Sequence, residues 1–103
     1  MTTAVPVAAG DDRPTVRLRF VGFWDGFDPH DNFFTRLLAP RWRIDQDADP
    51  DFILYTTVGA RRRDWLRYDC TRIFFTGENV GPDWLNCDWA FTFRHDPHPR
   101  HRR

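Results

Sequence analysis

The chain has 103 residues, 15 of them basic and 15 acidic, for a formal net charge of +0. That length suits one domain with a modest core, and the balanced charge excludes a nucleic-acid footprint, which needs a clustered basic excess. A hydrophobic share of 41% and an aromatic share of 17% exclude a disordered composition. No signal peptide or membrane span is legible, because the apolar run 4–9 is too short and no basic region precedes it. The cysteines, Cys70 and Cys87, are expected to be reduced and partly buried, and their spacing matches no zinc pattern.

Residues 1–14 are small, polar and proline-punctuated and are expected to form a flexible leader. Residues 16–24 predict a first strand, in which Val16, Leu18 and Phe20 alternate with Arg17 and Arg19. The two arginines are expected to reach solvent. A turn follows at residues 24–29, where Gly26 offers a permissive backbone. Asp28 is placed as the cap of a helix, Pro29 in its first position and Asp31 in its first turn. Phe33, Phe34, Leu37 and Leu38 recur at helical spacing and predict one face turned to a sheet, with Pro40 as the stop. Strand, turn and helix in this order are what a parallel βα unit requires.

Residues 41–44 predict a second, weaker strand, residues 45–51 a solvated acidic loop, and residues 52–58 a third strand rich in branched and aromatic side chains. Residues 61–69 predict a short helix offering Trp65, Leu66 and Tyr68 for packing. Its run Arg61-Arg62-Arg63 reads as a solvated face before it reads as an anion site. Residues 80–88 predict a loop turned by Gly81-Pro82, and residues 89–94 a fifth strand. His95, His98 and His101 recur every third residue, but Pro97 and Pro99 forbid the helix that would align them, so residues 96–103 are expected to be an unstructured tail.

Between the short helix and that loop, Ile73, Phe74 and Phe75 form an apolar run bounded by Arg72 and Gly77, the pattern of a strand buried on both faces. Glycine at 77 offers a sharp turn and close approach. Glu78 then stands just past the carboxyl end of a strand, the edge at which open α/β sheets bind ligands. A carboxylate there is placed to act as a general base. It is equally placed to pair with one of the many arginines, and local pattern alone favours that plainer reading.

Three stretches carry a family resemblance. They are residues 20–29, Phe-Val-Gly-Phe-Trp-Asp-Gly-Phe-Asp-Pro, with Asn32-Phe33-Phe34; residues 51–55, Asp-Phe-Ile-Leu-Tyr; and Tyr68-Asp69-Cys70 leading into residues 73–80, Ile-Phe-Phe-Thr-Gly-Glu-Asn-Val, then Pro82-Asp83 and residues 87–91, Cys-Asp-Trp-Ala-Phe. In order and spacing they resemble the N-terminal domain of bacterial α-1,3-fucosyltransferases from about Thr15 onward. The resemblance implies an α/β fold: a Rossmann-like open parallel sheet of about five strands with flanking helices, the N-terminal half of a GT-B glycosyltransferase, spanning residues 15–95. It implies an inverting transfer of fucose from GDP-fucose to a GlcNAc or Glc hydroxyl of a glycan, with no cofactor and no metal. Glu78 matches the family's proposed base, and on that ground the functional reading overtakes the ion pair.

Trp24, Asp25 and Asn79 are candidate acceptor contacts because they follow strands on the same edge, with Thr57 weaker on the same argument. The expected partners are an N-acetyllactosamine-like acceptor and a separate donor-binding domain, and the resemblance implies a cytoplasmic location, peripheral at the membrane in full-length members. The family's sequence continues beyond the point matching Arg103 into a donor-binding half, so a fragment or split chain, silent alone, is expected. Two alternatives compete: a non-catalytic glycan-binding module using Trp24, Phe27 and Trp84 as stacking faces, and a half-enzyme that docks a separately encoded donor half.

Overall fold

A computed structural model describes residues 11–57, 64–77 and 80–103. Six strands form one sheet: β1 Thr15–Val21, β2 Arg43–Asp45, β3 Phe52–Tyr55, β4 Thr71–Phe75, β5 Trp89–Phe91 and β6 His101–Arg102. Their spatial order is β2-β1-β3-β4-β5-β6, and all five pairings are parallel. This is an open α/β sheet of the expected kind, with one strand more than the five predicted.

Strand β1 serves two neighbours in succession. Its first half, Thr15 to Arg17, pairs with β2, and its second half, Leu18 to Val21, pairs with β3. The stagger lets the short loop 46–51 carry the chain from β2 across β1 to β3, where a crossover helix would otherwise be needed. Arg19 fixes that loop by donating to the carbonyls of Gln46, Asp47 and Ala48 at 3.0–3.2 Å, and its guanidinium lies over the Tyr68 ring. Arg17 pairs with Asp51. Arg17 reaches solvent as predicted, in an exposed ion pair, whereas Arg19 is half-buried because the polar strap passing over it offers carbonyls within reach.

One face of the sheet carries the core. Val21, Ile53, Tyr55, Phe74 and Ala90 pack there with Trp65 and Cys87. Trp65 belongs to a short 3₁₀ turn, Asp64–Arg67, and stacks on Tyr55 with ring centroids 5.2 Å apart. Residues 58–63, including the arginine run at 61–63, lie outside the described residues.

Against the other face, among the described residues, packs one α-helix, α1, Phe33–Leu38. Its cap is Asn32, not Asp28. The Asn32 carbonyl oxygen of the side chain accepts from the amides of Phe34 and Thr35, and Thr35 Oγ1 accepts from the Asn32 amide. Asp28 instead closes a turn of its own by accepting from the His30 amide, and Asp31 pairs with Arg36. Both segments carry capping chemistry, but only Asn32-Phe33-Phe34-Thr35 closes the reciprocal pair of bonds that a capping box needs. Phe34 packs on Phe20 and Phe75, whereas Phe33 and Leu37 are 67% and 64% exposed. Residues 34 and 38 form one row and 33 and 37 the next, about 100° away, and a helix this short presents only one row to the sheet.

The tail is ordered, contrary to expectation. His101–Arg102 extends the sheet beside β5, with Ala90 and Thr92 amides donating to Arg100 and Arg102 carbonyls. The prolines do not prevent this, since residues 96–99 only have to turn. Asp96 organises that turn by accepting from the His98 amide and from Trp84 Nε1, and the His98 ring stacks on Trp84 at 3.7 Å. At the other end of the chain, Asp11 pairs with Arg13 and approaches Arg43, and Arg13 donates to the Ala39 carbonyl. The described part of the expected leader is thus tied to β2 and α1.

Candidate functional site

Strands β1, β3, β4 and β5 end at Val21, Tyr55, Phe75 and Phe91, all on one edge. Strand order reverses between β1 and β3, so the chain leaves these two strands in opposite directions. Open α/β sheets bind ligands at the strand ends beside such a divergence.

Three threonines floor the edge. Thr56, Thr76 and Thr92 each follow the last residue of a strand and are 0%, 3% and 4% exposed. Their amides still donate to the neighbouring strand, to Val21, Phe91 and Arg102 carbonyls respectively. Each therefore extends the ladder by one residue. Sequence reasoning singled out only Thr57, which is exposed. The usable signal was the repeated aromatic–threonine step at Tyr55-Thr56, Phe75-Thr76 and Phe91-Thr92.

The β1 exit begins at Gly22 and turns at Gly26, both with positive φ (74° and 86°), where a side chain would be strained. Across this turn, Phe23 and Phe27 stack at 4.2 Å, and Phe20 meets both rings edge-on. This cluster ties the loop to the α1 face. Trp24 rests on Phe23 and Phe27 and remains 45% exposed, and Asp25 beside it is exposed. The two predicted acceptor contacts thus share one loop on the ligand edge. Phe27 is committed to packing, and one face of Trp84 is taken by His98.

The β4 exit is described through Thr76 and Gly77; the expectations for Glu78 and Asn79 lie outside the described residues. Gly77 does not use a positive φ, and among the described residues an added Cβ would meet only the Phe93 ring, at 3.9 Å. Glycine is therefore not demanded there by backbone strain or by that contact, and the turn expected after it continues into residues outside the described ones.

On the core face, a cavity of about 90 Å³ opens beside the β3 and β4 exits, lined among others by Tyr55, Thr57, Trp65, Phe74, Asp83 and Asn86. Trp24 and Asp25 do not line it. Burial raises the Tyr55 phenol well above its usual range, and the Cys87 thiol beside it is pushed up to about 11, again by burial first. Both stay neutral near pH 7. Larger troughs of about 460 and 350 Å³ lie elsewhere. Arg13 and Arg36 of the first are already paired with Asp11 and Asp31, and Arg43 lies 3.7 Å from Asp11. Among the described residues no group of three or more His, Cys, Asp or Glu could hold a metal ion, and no helix is long and apolar enough to cross a membrane. His95, His98 and His101 diverge toward Arg103, Trp84 and Thr92 respectively.

A six-stranded open parallel sheet whose order reverses between β1 and β3 defines a Rossmann-like α/β class of fold. Comparison with solved structures narrows it. A crystal structure of an α1,3-fucosyltransferase superposes with a TM-score of 0.70 at 20% identity, over 89% of this chain and 28% of that one. A second, of an α1,3-fucosyltransferase with GDP, gives 0.64 at 18% identity, over 90% and 27%. The chain thus spans less than a third of the length of those proteins. Comparison with curated protein sequences finds no match. Residues 18–103 match the α-(1,3)-fucosyltransferase FucT N-terminal domain, and the chain belongs to that family.

Proposed function

We propose that this chain is the acceptor-side, base-supplying half of an inverting α-1,3-fucosyltransferase of the GT-B type. The observation that carries the reading is the family match over residues 18–103, combined with the position of Glu78 in the sequence, three residues after the last residue of β4, Phe75. In the reaction proposed, an acceptor hydroxyl oxygen bonds to the anomeric carbon of fucose from the face opposite the phosphate. The carbon–oxygen bond to GDP breaks, and its electron pair leaves with GDP. The hydroxyl proton passes to the Glu78 carboxylate. Positive charge develops on the sugar, as in glycoside hydrolysis. Trp24, Asp25 and Asn79 hold the acceptor, an N-acetyllactosamine-like glycan.

GDP-fucose belongs to a donor-binding half, whether a continuation of the polypeptide or a separate chain. Two facts support that division. The chain spans 28% of a solved fucosyltransferase, and its described edge has no glycine-rich phosphate cradle of the kind nucleotide sites use. The reaction needs no metal.

Titration of the ¹⁵N-labelled chain tests the reading. N-acetyllactosamine is expected to shift amide signals of residues 22–27, 57 and 77, whereas GDP-fucose leaves the spectrum unchanged. Tight GDP-fucose binding, or fucose transfer by this chain alone, would show that the labour is divided differently.

A further inference from the structure

Among the described residues, the sheet face that carries α1 is only half covered. Phe34 packs on Phe20 of β1 and Phe75 of β4, so α1 lies over β3. Register puts Trp89 beside Ile73 and Phe91 beside Phe75 on that same face, because Phe74 and Ala90 between them face the core. No described helix lies over β5, and Trp89 and Phe91 are 36% and 41% exposed. Parallel sheets normally have both faces covered, and a contiguous exposed apolar patch marks an interaction site. We infer that the groove over β5 is a docking site for an acidic amphipathic α-helix of a partner polypeptide. The inference is independent of the acceptor-side reading, which concerns the strand ends.

The groove has the width of a helix. Neighbouring strands lie about 4.8 Å apart, so β5, two strands beyond β3, lies about 9.6 Å to the side of α1, within the roughly 8–10 Å that separates packed helices. Its near wall is the outer row of α1. Thr35, Arg36 and Ala39 line the trough between α1 and β2, so Phe33 and Leu37, on the opposite side of the helix, flank the β5 groove. The far rim is cationic. The guanidiniums of Arg100 and Arg102 lie over the Trp89 ring, 5.9 and 5.5 Å from its centroid. Among the described residues neither is ion-paired, whereas Arg13, Arg17, Arg36 and Arg67 each pair with an aspartate. Asp96, the acid nearest to them in sequence, is engaged by the His98 amide and Trp84 Nε1. The rim therefore selects a helix with carboxylates along the flank turned to β6 and an apolar stripe turned to the sheet and α1. A second copy is a poorer match, since its α1, Phe-Phe-Thr-Arg-Leu-Leu, contains no acidic residue. A bilayer fits less well too, because the rings form the floor of a groove and not a protruding tip.

The test titrates the full ¹⁵N-labelled chain with two helical peptides of about 16 residues. Both carry leucines at i, i+3, i+4 and i+7 spacing, and they differ only in having glutamate or lysine along one flank. The glutamate peptide is expected to shift the amides of Leu37, Trp89, Phe91 and Arg102. It is expected to bind about tenfold more tightly than the lysine peptide, the ratio that two exposed ion pairs supply. Arg100→Glu combined with Arg102→Glu is expected to reverse that preference. Leu37→Glu, at an exposed position, is expected to weaken the glutamate peptide, and it decides the matter if the double variant does not fold. Equal affinity for the two peptides, or shifts confined to other residues, overturns the proposal. Concentration-dependent shifts of the same amides without peptide would assign the groove to a second copy and overturn it too. Loss of those signals on phosphatidylglycerol vesicles, with no response to either peptide, would assign it to a lipid surface instead. None of these outcomes bears on the response of residues 22–27 to N-acetyllactosamine, so the two readings fail separately.

Discussion

Thr92 Oγ1 and His101 Nε2 lie 2.7 Å apart in a buried pair that ties the end of β5 to β6. The same threonine oxygen accepts from the Arg94 amide. A threonine of the ligand edge is therefore held by the final strand, so the tail and the candidate site are one structural unit.

Removing His101 should loosen that unit. His101→Ala leaves a buried hydroxyl short of a partner and opens a void beside Ala90. The expected loss is about 1–3 kcal/mol in urea unfolding, with the amides of Ala90 and Thr92 losing exchange protection first. Unchanged stability would show that β6 holds without this bond.

The helix cap makes a second prediction. Asn32→Ala removes an acceptor for two amides and should cost about 1 kcal/mol, whereas Asp28→Ala, ahead of the helix, should cost less. A larger loss at Asp28 would restore the earlier helix start. The comparison is made by urea denaturation of both variants.

Acid should release the chain's amino-terminal anchor. Hydrogen bonds from the Arg13 side chain hold the Asp11 carboxyl down to about 2, from an ordinary 3.8. A depressed carboxyl contributes stability that is complete above the ordinary value and is lost as pH falls through the folded one. Exchange protection of the Arg43 amide, which donates to the Pro14 carbonyl, should therefore fall between about pH 4 and 2. In Asp11→Asn that acid step should be absent. A step of equal size in the variant would assign it to another carboxylate.

The two thiols should differ in reactivity. Cys87 is buried and pushed up to about 11, and Cys70 is raised by burial but only half covered. Iodoacetamide at pH 8 should label Cys70 first and reach Cys87 only on unfolding. Peptide mapping after timed quenching reads the order, and simultaneous labelling would contradict the packing around Tyr55.

Much of the sheet was legible because its core strands are written in branched and aromatic residues. Phe52-Ile53-Leu54-Tyr55 and Ile73-Phe74-Phe75 predict strands wherever they occur. The helix start was misplaced because two capping signals stand four residues apart, at Asp28 and Asn32, and only side-chain geometry chooses between them. The last strand was missed because a two-residue strand has no period to detect. It exists through partners distant in sequence, Trp89–Phe91 on one side and the Trp84, Asp96 and His98 cluster beneath it. Arg19 was misjudged for a similar reason, since nothing local reveals that the acidic loop crosses above it. At the site, local pattern carried Glu78 only as far as an acid at a strand end. The proposal that it is the base came from the family resemblance.

The role of Glu78 is measured most directly in this chain joined to the donor-binding half of a solved fucosyltransferase, with steady-state kinetics for the parent and for Glu78→Ala. The account predicts that turnover falls by roughly 10²-fold or more, about 2.7 kcal/mol of barrier, while the KM for GDP-fucose is preserved. Turnover within a few-fold of the parent, or equal loss of turnover and donor binding, would contradict it.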